Sequence, residues 1–512
     1  MRWWVSLAAM LTLGVAPAPP VVDLLIRGGA VYPGSAAAFI GDVALTGDRI
    51  TATGKRLAVT GRRVIDARGL IVAPGFIDPH THLGEQLASS DARARLIEAF
   101  LLQGVTTAFI GNDGGGAVDV ASVLGSAGTR PVGINYAAWI GFGSVRQAVI
   151  GSAARVPDVG ELTRMRGLVA RAMCSGALGV STGLFYAPQS FATTAEVVAL
   201  AREAGARGGM YDSHIRDESS YTVGLHAAVA EAIAIGRDAK LPVNISHIKA
   251  LGVDVQGQSG RVIAAVRAAR ARGQRVTADQ YPWTASGTSL VAALVPGWAQ
   301  DGGRAAMLAR MQRLNKASKL RLDMTENLRR RGGAAALLIT DGEQAGRTVA
   351  QLGGDPIDAA IAVIRRHDPA VASFNQSDRD IRAFMREPWV MTGSDASTGH
   401  PRAWGSFARK WADYVRTGVL TPREFVERGS TLTADTFGLV DRGRLRPGAF
   451  ADVVVFDPAR YTARATYARP TLPAAGVRTV LVNGVIAVDG GKLTGAAAGR
   501  ALPRTPTPGT CR

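Results

Sequence analysis

The feature that most constrains this chain is a repeat of local pattern rather than of sequence. Through its middle, short apolar runs end in polar residues: "GVTTAFIGNDGGG" (104–116), "GALGVSTGLFY" (176–186), "GGMYDSHIRDE" (208–218), "LPVNISHIKALG" (241–252), "QRVTADQYPW" (274–283) and "PWVMTGSDAS" (388–397). Ala-rich amphipathic stretches lie between them, such as "TTAEVVALAREAGARG" (193–208) and "GLHAAVAEAIAIGRDA" (224–239). Apolar runs alternating with helical patterns at roughly 30–40 residues predict parallel strands joined by helices. An open sheet would satisfy the alternation too. A (β/α)8 TIM-type barrel fits better, because the polar residues fall at the C-terminal ends of many strands and could meet at one mouth. The stretch 284–345 fits the repeat poorly and is expected to be an insertion over that mouth.

The two ends of the chain read differently. "DLLIRGGAVYPG" (23–34) has the pattern of a hairpin turning at Gly28-Gly29, and "GDVALTGDRITATG" (41–54) repeats it with Gly47-Asp48 at the turn. "RRVIDARGLIVAPGFIDPHTH" (62–82) gives two more strands. "FADVVVFDP" (450–458) and "RTVLVNGVIAVDGGKLTG" (478–495) look alike, with Asn483-Gly484 as a strong turn signal. The expected organisation is therefore a small β-sandwich built from 21–75 and 443–502, a barrel over 76–442 and a tail at 503–512. Ahead of these, Met1-Arg2, an apolar run from Trp3 to Val15 and small residues with prolines read as an export signal over 1–18. That predicts a periplasmic or secreted protein. The run is too short to span a bilayer, so no stable membrane insertion is expected.

Composition removes other classes. The 512 residues carry 59 Lys+Arg against 41 Asp+Glu, a net charge of +18. The basic residues are scattered, their densest cluster being Arg329-Arg330-Arg331, with no basic run interleaved by aromatics. Nucleic-acid binding is not expected. Two cysteines, Cys174 and Cys511, exclude a disulfide scaffold or a Cys-rich zinc module. Their separation says nothing of pairing, and Cys174 is expected to be buried.

The chain has seven histidines, and four of them end strand-like runs. His80 and His82 form a His-Thr-His pair whose i, i+2 spacing puts both on one side of a strand. His214 ends "GGMYDSH", His247 ends "LPVNISH", and Asp395 ends "WVMTGSD". Gathered at one barrel mouth, these imidazoles and this carboxylate have the composition of a metal site. His226, inside an amphipathic helix, and His367, in a loop, read as packing or surface residues.

The ordered set "APGFIDPHTH", "GVTTAFIGND", "GALGVSTGLFYAP", "FATTAEVVALA", "YDSHIRDES", "VNISHIKALG", "ADQYPWTASGTSL", "TGSD", "HPR" and "DRGRLRPGAFADVVVFDP" resembles the amidohydrolase superfamily, and within it the D-aminoacylase (N-acyl-D-amino-acid deacylase) branch. The resemblance covers about residues 21–502. It implies a zinc-dependent amide hydrolase with one or two ions. His80, His82, His214 and His247 match the metal ligands, and Asp395 matches the catalytic aspartate, itself near the metal. Tyr186, Lys249, Tyr281 and Arg402 match groups that hold a substrate carboxylate. Where that branch has cysteine in a Gly-Asn-Cys-Gly stretch, this chain has Asp113. A carboxylate remains a zinc ligand but is harder than a thiolate, which admits other divalent metals. Asp113 also reads as a turn residue in Asn112-Asp113-Gly114, and Glu85 is a weaker extra candidate.

The implied function is cleavage of the amide bond of N-acyl-D-amino acids or D-residue-containing dipeptides. A metal-activated water attacks, with Asp395 as general base and then acid. The expected partner is a small molecule with a free carboxylate. A cyclic-amide hydrolase of the dihydroorotase or hydantoinase kind is the first alternative. Such enzymes usually carry a bridging modified lysine on the fourth strand, and "GALGVSTGLFY" has none. A non-catalytic binding protein on the same scaffold is the second. It would have lost Asp395 or a metal histidine, and none is missing.

Overall fold

The computed structural model describes residues 19–312 and 315–511. The segment expected to be an export signal lies outside them. Among the described residues, no helix is long and apolar enough to cross a membrane.

Both chain ends contribute to one nine-stranded sheet. Val453–Phe456 runs antiparallel to Ile71–Pro74, and Ile71–Pro74 runs parallel to Val21–Val31. Outward from these lie Phe39–Thr46 and Arg49–Gly54 on one side, and Val477–Val482, Val485–Asp489 and Lys492–Leu493 on the other. Leu24, Ile26, Val43, Val72, Val453, Val455 and Leu481 form a separate apolar core beneath it. Alternating burial along the strands puts these residues on the same face. The Asn483-Gly484 turn forms as its sequence predicts, with φ of 49° and 81° at the two residues. The expected hairpin at Gly28-Gly29 does not form. Val21–Val31 is one continuous strand with a register shift between Ile26 and Gly29. At that bulge the strand changes partners, from Thr60–Asp66 before it to Ile71–Pro74 after it. The glycine pair serves a bulge instead of a turn.

In the middle of the chain every strand pairing outside the excursion is parallel. Phe76–Asp78, Val105–Ile110 and Asn135–Ala138 pair in that order. Ile140–Gly141, Gly179–Gly183, Met210–His214, Val243–Ile245, Val276–Gln280 and Val390–Thr392 pair in theirs. Only Trp139 separates the two sets along the chain. At the other end Thr81 bridges Ala396 in parallel, and Asp395 N–H donates to His80 O at 2.9 Å. Asn135–Ala138 is a strand that the polar-ended pattern does not pick out, since it is short and carries no titratable residue at its end. The helices between strands follow their own start signals. Val159–Cys174 opens with a capping box, Asp158 with Glu161, and Thr194–Ala206 opens with Thr193 accepting from Glu196 N–H. Leu225–Ala239 buries Leu225, Ala228, Val229, Ala232 and Ile235 against the strands.

The excursion is longer than the 284–345 expected from sequence. Ala285–Ser289, Ala370–Phe374 and Leu337–Ile339 form an antiparallel sheet, and helices Lys319–Arg330 and Pro356–Arg366 pack with it. Leu290, Leu294, Met324, Ile339, Ile361 and Val371 belong to its own core. Residues 356–374 look like another helix and strand of the repeat, but that strand pairs within the excursion. Local pattern does not choose the partner.

Cys174 is exposed rather than buried and is joined to Cys511, with Cα atoms 5.6 Å apart. The C-terminal segment reaches it through Leu502 N–H to Tyr136 O, Arg504 N–H to Gly176 O and Thr507 N–H to Arg207 O.

Candidate metal centre and its cavity

The sequence-predicted residues come together. His80 and His82 follow Phe76–Asp78, His214 ends Met210–His214, His247 follows Val243–Ile245, and Asp395 follows Val390–Thr392. Asp113 follows Val105–Ile110. Three of these six have left-handed backbones: Asp113 at φ 55°, His247 at 36° and Asp395 at 50°. Such values are uncommon outside glycine and are retained where surrounding contacts over-determine them.

Among the described residues three groups of side chains have ligand atoms within 4.8 Å of one another: one is His80, Asp212 and Asp279, and the two that border the cavity are His80, His82, Asp113 and Asp395, and then Asp113, His214 and His247. Asp113 belongs to both. Its Oδ1 lies 3.3 Å from His80 Nε2 and 3.4 Å from His247 Nε2, and its Oδ2 lies 3.6 Å from His82 Nε2 and 3.7 Å from His214 Nδ1. The loop that carries it is pinned from below. Gln189 donates to Asp113 O at 2.9 Å and accepts from Gly183 N–H at 2.7 Å. Asp113 is thus in a turn and also aims its carboxylate into the cluster. Glu85 is exposed and borders a different cavity.

The donor set fits a divalent cation. Both ring nitrogens of His80, Asp113 Oδ1 and His214 Nδ1 are buried without a hydrogen-bond partner. Buried polar atoms left that way are rare and costly, and here they converge at ligand spacing. The electrostatics point the same way. Burial alone would depress His80, yet Asp113, Asp279 and Asp395 outweigh it and lift its pKa to about 10. His247 is lifted to about 9, burial and Lys249 opposing Asp113 and Glu218. Burial would raise Asp113 and Asp395. The imidazoles of His80 and His247 hold the first well down, and Arg402 and His247 the second. The cluster draws positive charge, and imidazole with carboxylate suits zinc as well as harder divalent ions.

By sequence, the stretch Asp212-Ser213-His214-Ile215-Arg216-Asp217-Glu218 offers possible partners for the ligand histidine, and Glu218 is one that the fold brings to it. Its Oε1 is 2.5 Å from Lys249 Nζ and 3.1 Å from His247 Nδ1, and its Oε2 is 3.7 Å from His214 Nε2. Lys249 Nζ is also 2.7 Å from His247 Nδ1. Beneath the cluster Asp212 accepts from Asn112 at 2.9 Å and Asn244 at 2.8 Å, and Asp279 accepts from His247 N–H at 2.9 Å. Burial raises Asp212 to about 6 and Asp78 to about 7.

A cavity of about 410 Å³ opens beside the cluster, and Tyr186, Lys249, Tyr281 and Arg402 all line it. Tyr186 faces His214, ring centroids 4.8 Å apart, with its hydroxyl 3.4 Å from Thr288 Oγ1. Tyr281 accepts from Gln376 at 2.9 Å, and the Arg402 guanidinium lies 5.0 Å from its ring centre. Arg402 Nη1 is 2.7 Å from Asp395 Oδ2, and its Nε has no partner. Lys249 is already engaged by Glu218. His400 is a prop: its Nδ1 accepts from Arg402 N–H at 3.1 Å and its Nε2 faces Ala285 O.

Imidazoles and carboxylates gathered where parallel strands end, above a polar cavity, are the layout of a metal-dependent hydrolase. The chain belongs to the amidohydrolase family, whose model matches residues 63–174 and 176–488. It is 34% identical to the D-aminoacylase of Alcaligenes xylosoxydans xylosoxydans, over 94% of this chain and 98% of that one. A solved D-aminoacylase described as having a binuclear metal centre, with one-metal activation and second-metal attenuation, is 31% identical. It covers 94% of this chain and 100% of its own, with a TM-score of 0.80. The N-acyl-D-glutamate deacylase of Bordetella bronchiseptica, solved with zinc and a phosphonate mimic of its tetrahedral intermediate, is 30% identical. The match covers 94% and 99% of the two chains, with a TM-score of 0.81.

Proposed function

We propose that this protein hydrolyses the amide bond of N-acyl-D-amino acids or of D-residue-containing dipeptides. The observation that carries the proposal is the shared Asp113 carboxylate, which joins two candidate ligand groups beside a cavity lined by Lys249, Tyr281 and Arg402. Relatives acting on N-acyl-D-amino acids support the substrate class. The parallel pairings, with the Thr81–Ala396 bridge, support a (β/α)8 barrel over 76–442, and the sheet shared by 21–75 and 443–502 supports the small β-sandwich.

His80, His82, Asp113 and Asp395 would hold one ion, and Asp113, His214 and His247 the other. Zinc is the ion proposed, since the donors suit it and the deacylase relative was solved with it. Bound there, such an ion supplies Lewis acidity toward an amide carbonyl and toward water. The remaining work falls to the chain. Asp395 Oδ1 lies 3.2 Å from His82 Nε2 on the cavity wall, placed to accept a proton from water and return it to the leaving amine. Arg402 and Tyr281 orient the substrate's carboxylate, the unpartnered Arg402 Nε offering one donor. A carboxylate there competes with Asp395 for the same guanidinium. Tyr186, above His214, bounds the reacting end.

The expected site of action is outside the cytoplasm. The Cys174–Cys511 bond supports an oxidising compartment, as does the leader-like sequence of 1–18. Purified protein should be assayed for bound metal and for hydrolysis of N-acetyl-D- and N-acetyl-L-amino acids, D/L dipeptides and cyclic ureides. Turnover of the D-acyl set with metal present is the expected result. Turnover of cyclic ureides alone would overturn it.

A further inference from the structure

Three fixed cations line the cavity beside the cluster: Lys249, Arg331 and Arg402. Lys249 is paired with Glu218 and Arg402 with Asp395. Among the described residues Arg331 has no ion-pair partner. It is 2% exposed, its Nε donates to Ala293 O at 3.2 Å, and its Nη1 has no hydrogen-bond partner. Asp341 and Asp368 also border the cavity. Asp341 accepts from Ala370 N–H and Asp368 from Val291 N–H, and neither pairs with Arg331. A guanidinium buried without an anion costs several kcal/mol, so its retention in a cavity calls for a ligand.

Arg331 does not stand alone. Its guanidinium carbon is 5.7 Å from the ring centre of Tyr221, whose buried hydroxyl is likewise unpartnered. Arg331 closes the end of helix Lys319–Arg330 in the excursion, whereas Tyr221 lies in the loop after Met210–His214. The excursion and the parallel-strand body meet at this pair, whose donors without a partner are Arg331 Nη1 and the Tyr221 hydroxyl. The Tyr221 ring touches Phe185, centroids 5.3 Å apart, and Phe185 stacks on His214 at 5.8 Å. The pair therefore sits two ring contacts from the candidate metal cluster.

We propose that Arg331 and Tyr221 form a second anion subsite, so that the preferred substrates are N-acyl-D-amino acids bearing a second carboxylate. This rests on the deacylase reading above and assigns its selectivity. The second carboxylate belongs either to the amino-acid side chain or to the acyl chain. N-acetyl-D-glutamate and N-succinyl-D-leucine separate the two, with N-acetyl-D-glutamine and N-acetyl-D-leucine as neutral controls. Arg331→Met should lower kcat/KM for the preferred dicarboxylate about 100-fold, mostly through KM, with neutral substrates changed less than about threefold. Tyr221→Phe should act in the same direction more weakly, and Arg331→Lys should restore part of the loss. Equal loss on acidic and neutral substrates, or a wild type that does not prefer either dicarboxylate, overturns the subsite. Glutarate tests it without turnover: it should raise the melting temperature of wild type clearly more than that of Arg331→Met, which keeps only the carboxylate contact at Arg402 and Tyr281. Equal shifts in the two proteins would also overturn the subsite. If glutarate protection depends on Arg331 while no N-acyl-D-amino acid is cleaved, the subsite stands and the deacylase reading falls.

Discussion

Glu218→Gln removes one charge and almost no volume, and the structure says what that charge does. His247 can present a lone pair from Nε2 to an ion shared with Asp113, whose Oδ1 is 3.4 Å away, only if its one ring proton sits on Nδ1. Nδ1 has two neighbours. Glu218 Oε1 at 3.1 Å accepts, and Lys249 Nζ at 2.7 Å donates. The carboxylate accepts a hydrogen bond from the Lys249 ammonium at 2.5 Å, drawing it from Nδ1, and can also accept from Nδ1–H. With glutamine there, the ammonium turns to Nδ1 and drives the imidazole proton to Nε2, where it blocks coordination. Losing a group that orients a ligand histidine lowers metal affinity about 10–100-fold, or about 1.4–2.7 kcal/mol. Glu218 and Lys249 are only 6% and 4% exposed, so breaking the pair also costs about 3–5 kcal/mol of stability. Chelator competition reads affinity and thermal melting reads stability. Glu218→Gln with Lys249→Met removes the competing donor and should recover much of the affinity. A single variant that binds metal within about threefold of wild type, or a double variant without recovery, would refute the tautomer argument.

Asp395→Ala should keep the ion that Asp113, His214 and His247 would hold yet lose at least about 100-fold in kcat, checked by metal analysis beside kinetics. Asp113→Asn removes the carboxylate common to both groups, so it should release both ions on dialysis, whereas Asp395→Ala releases at most one. Lys410 is buried, donates to Thr392, and is held well below 10.5, first by burial and then by Arg428. The unfolded chain then binds the extra proton, so stability rises with pH between the depressed value and 10.5, by up to about 1.4 kcal/mol per unit. Denaturant melts of wild type minus Lys410→Met should isolate that slope, and a zero difference would contradict it. Cys511→Ser should speed amide exchange across 499–511 while the parallel strands keep their protection, because the segment's far end loses its covalent anchor.

Much of the fold was legible because its periodicities are local. A strand buried on both faces must be apolar throughout, as Val105–Ile110 is, and a helix on its outside must be amphipathic, as Leu225–Ala239 is. What the residues do not encode locally is the choice of partner. Ala370–Phe374 has the composition of a strand in the parallel set and pairs antiparallel inside the excursion instead. Gly28-Gly29 allows a turn or a bulge equally, and the exchange of Thr60–Asp66 for Ile71–Pro74 beside it decides for the bulge.

The site divides along the same line. His80, His82, His214, His247, Asp113 and Asp395 were recoverable because a polar residue ending an apolar strand stands out. Glu218 is one of several possible partners in a polar stretch, and Arg331 is one of three consecutive arginines, so the role of neither can be read locally. Their meaning comes from what surrounds them once the chain is folded. Glu218 lies between a lysine and two imidazoles, and Arg331 is buried against Tyr221 without an ion-pair partner among the described residues. Desolvation sets the difference: a surface Glu or Arg is nearly free to hold, whereas a buried one must be matched by a partner or a ligand. The candidate metal ligands thus announce themselves in sequence, while the groups proposed to set protonation and selectivity are identified by which charges the fold leaves balanced and which it does not.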